Sequence, residues 1–187
     1  SEALTLFSTQ GYVATSLADI ARASDISKAG LLHHYSSKDQ LLAAVLHERD
    51  RRIVSQLPRP EDGAEAALGA WVDMVAHNQR HPDGVALYTA MSAAVIDSKH
   101  QAHPWFREHL IAAISYLVEA FEHGKTTGEV REDAPSEQIA RRLVALSDGL
   151  QVQWLCSRAD GGRTLNMHEV MAGVAVDMKE RWLIRSE

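Results

Sequence analysis

The sequence predicts an all-α protein, and three observations carry that prediction. Apolar residues recur at three- and four-residue spacing along nearly the whole chain, no stretch sustains the apolar/polar alternation of a half-buried strand, and Ser- or Asn-led capping patterns punctuate the periodic segments. Residues 1–10 place Leu4 and Phe7 on one helical face, with Gly11 as the stop. Ser16, with Asp19 three residues on, opens a second short helix through Leu17, Ile20 and Ala21. After the turn Ala23-Ser24-Asp25-Ile26, Ser27 caps a third helix that ends near Tyr35. Ser37 with Gln40 makes a further capping box, ahead of a long helix with the stripe Leu42, Leu46, Ile53 and Leu57.

The run Leu57-Pro58-Arg59-Pro60, with Asp62-Gly63 behind it, breaks the pattern. It implies a first domain over residues 1–53 and a second over residues 54–187. Ala64, Leu68, Trp71, Val72 and Val75 form the next stripe, which His81-Pro82-Asp83-Gly84 stops. A helix over 85–97 carries Leu87, Met91 and Val95. Pro104 opens another, with Phe106, Leu110, Ala113, Leu117 and Phe121, and Gly124 and Gly128 end it. Residues 135–156 continue with Ile139, Leu143, Leu146, Leu150 and Trp154. Asn166 and Glu169 cap the last helix, which presents Met167, Val170, Met171, Val174 and Met178.

Composition bounds the function classes. A hydrophobic share of 45% over 187 residues supports a sizeable core. The formal net charge of -6 argues against a protein that coats DNA nonspecifically, because that needs clustered Lys and Arg. It leaves room for a small, locally polarised reading surface. The uncharged stretch 85–96 is too short to span a bilayer, and no signal-type segment opens the chain, so no membrane role is expected. A single cysteine, Cys156, excludes an intramolecular disulfide and fits a cytoplasmic protein. Its neighbours Val152, Trp154 and Leu155 suggest a buried, inert thiol.

The two short helices around residues 23–26 have helix-turn-helix spacing. In such a unit the first helix braces the second, which enters the major groove. Leu17, Ile20, Ala21, Ile26, Leu31 and Tyr35 supply a small core to fix their angle, while Ser27, Lys28, Ala29, Leu32, His33 and His34 fall on the outer side. Ser, Lys and His donate to base edges or phosphates, and Ala and Leu can lie against a thymine methyl. Thr15 and Ser16 stand at a helix N-terminus, where backbone amides favour a phosphate, and Lys38 holds a similar place at the next helix start.

The wording of this segment is specific. Leu6-Phe7, Gly11-Tyr12, Thr15-Ser16-Leu17, Asp19-Ile20-Ala21, Ile26-Ser27-Lys28, Leu31-Leu32-His33-His34-Tyr35 and Lys38-Asp39-Gln40-Leu41-Leu42 together make it resemble the tetracycline-repressor (TetR) family, without a gap over about 46 residues. The resemblance implies a homodimer that binds a double-stranded DNA operator and releases it when a small molecule enters a variable C-terminal domain. It also implies DNA contacts at Thr15, Ser27, Lys28, Ala29, His33, His34 and Lys38, with Tyr35 as the aromatic residue wedged at the end of the reading helix. Leu32 departs from the family, which frequently has a tyrosine there. Asp148-Gly149-Leu150 with Trp154, and His103-Pro104 with Trp105-Phe106, resemble one branch of the family's effector domains more loosely.

Trp71, Met74, Tyr88, Met91, Trp105, Tyr116, Phe121 and Trp154 are either ordinary core or the lining of an effector cavity, with Asp148 as its orienting polar group. The scarcity of Lys and Arg around them fits a largely apolar ligand. His77 and His81 have metal-holding spacing but no Cys or carboxylate pattern completes a site, so no metal or other cofactor is expected. Gly124-Lys125-Thr126 lacks the first glycine and the preceding strand of a phosphate loop. Nothing frames a nucleophile, so a non-enzymatic regulator is the leading reading. An all-α enzyme with an incidental helix-turn-helix, or a regulator without a small-molecule effector, are the alternatives.

Overall fold

The computed structural model describes residues 2–159 and 165–184. Among these, the helices run α1 (Glu2–Gln10), α2 (Leu17–Ala23), α3 (Lys28–His34), α4 (Lys38–Val54), α5 (Ala64–Arg80), α6 (Pro82–Ala94), α7 (His103–Thr127), α8 (Ser136–Ala159) and α9 (Met167–Trp182), with a 3₁₀ turn at Pro60–Asp62. Ser1, expected in the first helix, lies outside the described residues.

The chain forms two compact units, and they are not consecutive in sequence. One takes Ser1–Ser55 with His81–Glu108, the other Gln56–Arg80 with His109–Glu187. In the first unit α1 lies against α6 and also meets α2 and α4, while α2 packs on α3. Its core joins Phe7, Ile20, Ala21, Leu31, Leu41, Leu42 and Leu46 to Leu87, Tyr88, Met91, Val95, Ala102, Trp105 and Phe106. The sequence division at 53/54 therefore does not describe how this core is assembled. Helix α6 supplies apolar surface that α1 cannot find within the first fifty-five residues.

Capping explains where the short helices start. The Ser16 hydroxyl accepts the Asp19 amide at 3.1 Å, and the Asp19 carboxylate accepts the Ser16 amide at 3.1 Å, a reciprocal box. Ser27 Oγ accepts the Gly30 amide at 2.9 Å. Ser37 Oγ accepts the Gln40 amide at 3.1 Å, but Gln40 Oε1 reaches back to the amide of Ser36 rather than Ser37. Asp25 sits at φ 53, which lets the chain reverse between α2 and α3 in four residues.

In the second unit α5 packs along α9, and α8 meets α9. Leu68, Trp71, Leu117, Phe121, Ile139, Leu143, Trp154, Met167 and Met171 are buried there. The Glu129 carboxylate caps α5 from sixty-five residues away, accepting the amides of Ala64 at 2.9 Å and Glu65 at 2.7 Å. Gly63 turns the chain into that cap at φ +99, where a Cβ would stand 2.5 Å from Glu129 Oε2. The residues beside Glu129 tie down the end of α9: Arg131 N–H donates to Trp182 O at 2.9 Å, and Ile184 N–H donates to Glu129 O at 2.8 Å.

Four local expectations are corrected. Helix α5 does stop ahead of Pro82, but α6 begins at Pro82 itself rather than at Val85, because a proline at a helix start loses no intrahelical bond. Gly124 lies inside α7, and Gly128, at φ +78, ends it. Gly124 is needed for closeness, since a Cβ there would stand 2.5 Å from Val130 Cγ2. Ile26 is 45% exposed rather than part of the small core, and Cys156 is exposed rather than buried.

Candidate functional site

Helix α3 is anchored on one side only. Leu31 points inward at 4% exposure, while Ser27, Lys28, Ala29, Leu32, His33 and His34 are exposed and Tyr35 is half-buried against the core. The helix carries no acidic residue, so Lys28 and the two histidines meet no carboxylate within it. The His33 and His34 rings stand edge-to-face with centroids 5.4 Å apart. This gives a narrow face with hydroxyl, ammonium and imidazole donors beside the small apolar surfaces of Ala29 and Leu32. Donors and small apolar surfaces of these kinds are what base edges in a major groove accept.

The residues expected to flank that face are placed differently. Thr15 is 1% exposed, and its hydroxyl donates to Gly11 O at 2.8 Å and Leu6 O at 3.2 Å. The Thr15 hydroxyl is thus engaged within the protein. Ser16 is exposed, but its hydroxyl is tied to Asp19, whose carboxylate covers the same helix end. The hydrogen bonds from Ser16 hold the Asp19 carboxyl below its ordinary value, so an incoming phosphate meets a negative group there.

Lys38 is likewise engaged inside the protein. Its Nζ donates to Tyr12 O at 2.8 Å, Thr15 O at 3.0 Å and Val13 O at 3.3 Å, and lies 4.4 Å from the centre of the Tyr12 ring. The Tyr12 hydroxyl donates to Asp39, and its ring approaches those of Phe7 and His100. Sequence reasoning missed Tyr12, Asp39 and His100 as parts of this arrangement. The pair Gly11-Tyr12 carries the resemblance but gives no sign of contact with residues twenty-six positions on.

Residues 1–45 match the family profile described as "Bacterial regulatory proteins, tetR family". The similarity to that family is carried by the first quarter of the chain. It is 24% identical over 165 residues to the HTH-type transcriptional repressor AcnR of Corynebacterium diphtheriae, covering 88% of this chain and 81% of that protein. The AcnR of Corynebacterium jeikeium is 27% identical over 144 residues, covering 77% and 72%. The fold agrees with solved structures across nearly the whole chain. A TetR transcription regulator from Haloarcula marismortui has TM-score 0.80 at 22% identity, covering 98% of this chain and 97% of that one. FadR from Bacillus subtilis, solved with stearoyl-CoA, has TM-score 0.78 at 12% identity, covering 95% and 94%. A regulator from Saccharomonospora viridis, solved with choline, has TM-score 0.67 at 20% identity, covering 98% and 95%. The profile match over residues 1–45 and the two repressor relatives support a DNA-binding transcription regulator.

The effector candidates do not form one group. Tyr88, Met91 and Trp105 belong to the core cluster of the first unit, where Tyr88 stacks on Phe106 with centroids 4.9 Å apart. Trp71, Met74, Tyr116, Phe121, Asp148 and Trp154 belong to the second unit. There the Trp71 indole donates to Ser147 Oγ at 3.0 Å, and Ser147 donates to Leu143 O at 2.9 Å, so that ring is satisfied within the protein. The buried polar atoms of this unit without a hydrogen-bond partner include the Tyr116 hydroxyl and Gln151 Oε1. Burial, with Asp62 nearby, pushes the Tyr116 phenol up to about 12. No helix of the described residues is long and apolar enough to cross a membrane.

Proposed function

We propose that this protein is a homodimeric, cytoplasmic repressor of the TetR family without catalytic activity, released from its operator by a small, largely apolar molecule. Residues 1–53 read DNA in this account, and residues 54–187 provide the effector site and the dimer contact. The observation that carries the DNA-reading half is the exposed, acid-free outer face of α3 braced by α2. Repression is favoured by the two AcnR relatives, both named as transcriptional repressors. Ligand response is favoured by the neighbours solved with stearoyl-CoA and with choline, and by the unpartnered Tyr116 hydroxyl and Gln151 carbonyl in the second unit. A buried unpartnered polar atom costs roughly 1–3 kcal/mol, and a hydroxyl- or amide-bearing ligand would remove that cost. Trp71, Phe121 and Trp154 supply its apolar surroundings, with Met74, Tyr116 and Asp148 at its edges.

The test has two stages. The protein selects duplexes from a random pool, and compounds are then screened for quenching of tryptophan fluorescence together with release of a selected duplex. Neutral, mainly apolar compounds are expected to do both. Release by strongly anionic compounds alone would sink the apolar-effector reading, and failure to select any duplex would sink the operator reading.

A further inference from the structure

We propose that operator binding by this chain is proton-linked: His33 and His34 take up protons as α3 meets the duplex, so affinity rises as the pH falls. The proposal adds regulation to the reading face described above, and it rests on α3 being a DNA reader. His33 and His34 are exposed in the last turn of α3, with ring centroids 5.4 Å apart at an interplanar angle of 74°. Among the described residues neither imidazole forms a hydrogen bond or an ion pair, so their ring nitrogens are open to an incoming group. Two other histidines of the same unit are committed within the protein. His100 Nδ1 accepts the Ala102 amide at 3.2 Å, and His103 Nδ1 lies 2.7 Å from Val95 O.

The charges around the pair leave protons a use. Lys28 is the one permanent cation of α3, and the helix holds no carboxylate. On α2, the helix packed against α3, Asp19 and Arg22 pair with each other at 3.5 Å, and Asp25 stands in the turn between the two helices. At the start of α4, Lys38 Nζ is held by the carbonyls of Tyr12, Val13 and Thr15, and Asp39 accepts the Tyr12 hydroxyl. None of these groups pairs with either imidazole. A chain of formal net charge -6 nevertheless has to approach a polyanion. Protonating both rings raises the formal charge of α3 from +1, that of Lys28, to +3. Neighbouring imidazolium ions repel, and duplex phosphates offset that repulsion while accepting charge-assisted hydrogen bonds from the rings. The duplex thus favours the charged form of each ring over the neutral form, and protons are taken up on binding. Linkage fixes the sign: the added affinity is fully present below the pH at which a free imidazole titrates, and it is lost as pH rises through the higher value of the bound ring.

The full chain is titrated at fixed ionic strength with a duplex it has itself selected from a random pool, between about pH 8 and about pH 6, the range that brackets an ordinary imidazole. Affinity is expected to rise by about tenfold over that range, since each proton taken up adds at most about tenfold per pH unit. Calorimetry in buffers of different ionisation enthalpy counts the protons directly, and a net uptake is expected. Glutamine keeps a side-chain donor but cannot be protonated. Changing both residues, His33→Gln with His34→Gln, should therefore flatten the pH dependence and abolish most of the uptake. Lys28→Met, by contrast, should weaken binding at every pH and leave the pH dependence as it is, because its charge does not titrate in this range. A wild-type affinity that stays flat, or a double variant that keeps the full pH dependence, would overturn the proposal. Should the double variant lose helicity, the two single variants decide: each loses part of the pH dependence if the proposal holds, and neither does if it fails. A wild-type chain that selects no duplex at either end of the range would overturn DNA reading itself, and this proposal with it.

Discussion

At the scale of single residues, two classes of side chain share the helix-turn-helix and should respond differently to truncation. Lys28 and His33 are exposed on α3, and changing either to Ala is expected to relax base preference at defined operator positions by roughly 1–3 kcal/mol. Competition between single-base variants of a selected duplex measures this, and an equal loss across all variants would move those residues onto the backbone. Asp19 gives a pH test. Its carboxyl is held below the ordinary 3.8 by the hydrogen bonds from Ser16, so the bonded form stabilises the fold above that value. That contribution disappears as pH falls through the lowered value, because the carboxyl then gains a proton. Melting curves from pH 5 down to about 2 should fall less steeply in Asp19→Asn than in the wild type. The exposed face of α3 was legible from spacing alone, since Leu31 is the apolar residue its neighbours leave for the core. Thr15 and Lys38 were not. A hydroxyl and an ammonium can face DNA or a backbone carbonyl, and only the geometry of the turn decides which.

At the scale of elements, helix starts were the most legible feature, because Ser16, Ser27, Ser37 and Asn166 each satisfy an amide three residues on. Local chemistry suffices for that. It failed where the deciding partner is remote or where one residue has two uses. Pro82 both closes α5 and opens α6, and Gly124 reads as a helix end until Val130 is seen against it. The cap on α5 is a remote case: no residue just ahead of Ala64 supplies it, and Glu129 does. Glu129→Ala is expected to destabilise the second unit by about 1–2 kcal/mol, as the two amides lose a charged acceptor. Thermal melting should show a drop of a few degrees, and Glu129→Gln, which keeps one acceptor oxygen, a smaller one. An unchanged melting temperature would mean that water replaces the cap at no cost.

At the scale of the whole molecule, the dimer proposed above needs an apolar seam, and α8 and α9 offer one. Val152 and Val170 are 48% and 37% exposed, and Val174 and Met178 are half-buried along the same helix as Val170. A charge at this seam, as in Val174→Asp, is expected to give monomers in sedimentation with helical content retained. If the variant unfolds instead, Val174 belongs to the protomer's own core. The fold class was legible because helical periodicity is a local signal; the make-up of the two units was not, since nothing in residues 1–55 announces that residues 81–108 complete their core. Seven members of that core come from the later segment, and burying such side chains contributes about 1.5–3 kcal/mol each for the larger ones. The sum rivals the entire stability of an ordinary domain, about 5–15 kcal/mol. The order of synthesis on the ribosome then matters. The helix-turn-helix segment is made ahead of residues 81–108, and it stays short of its own interior until residue 108 has emerged, some fifty residues after α4 is complete. Through that interval Phe7, Ile20 and Leu42 lack their partners, which exposes apolar surface on the nascent chain and delays a complete core for the helix-turn-helix until residue 108 has left the tunnel.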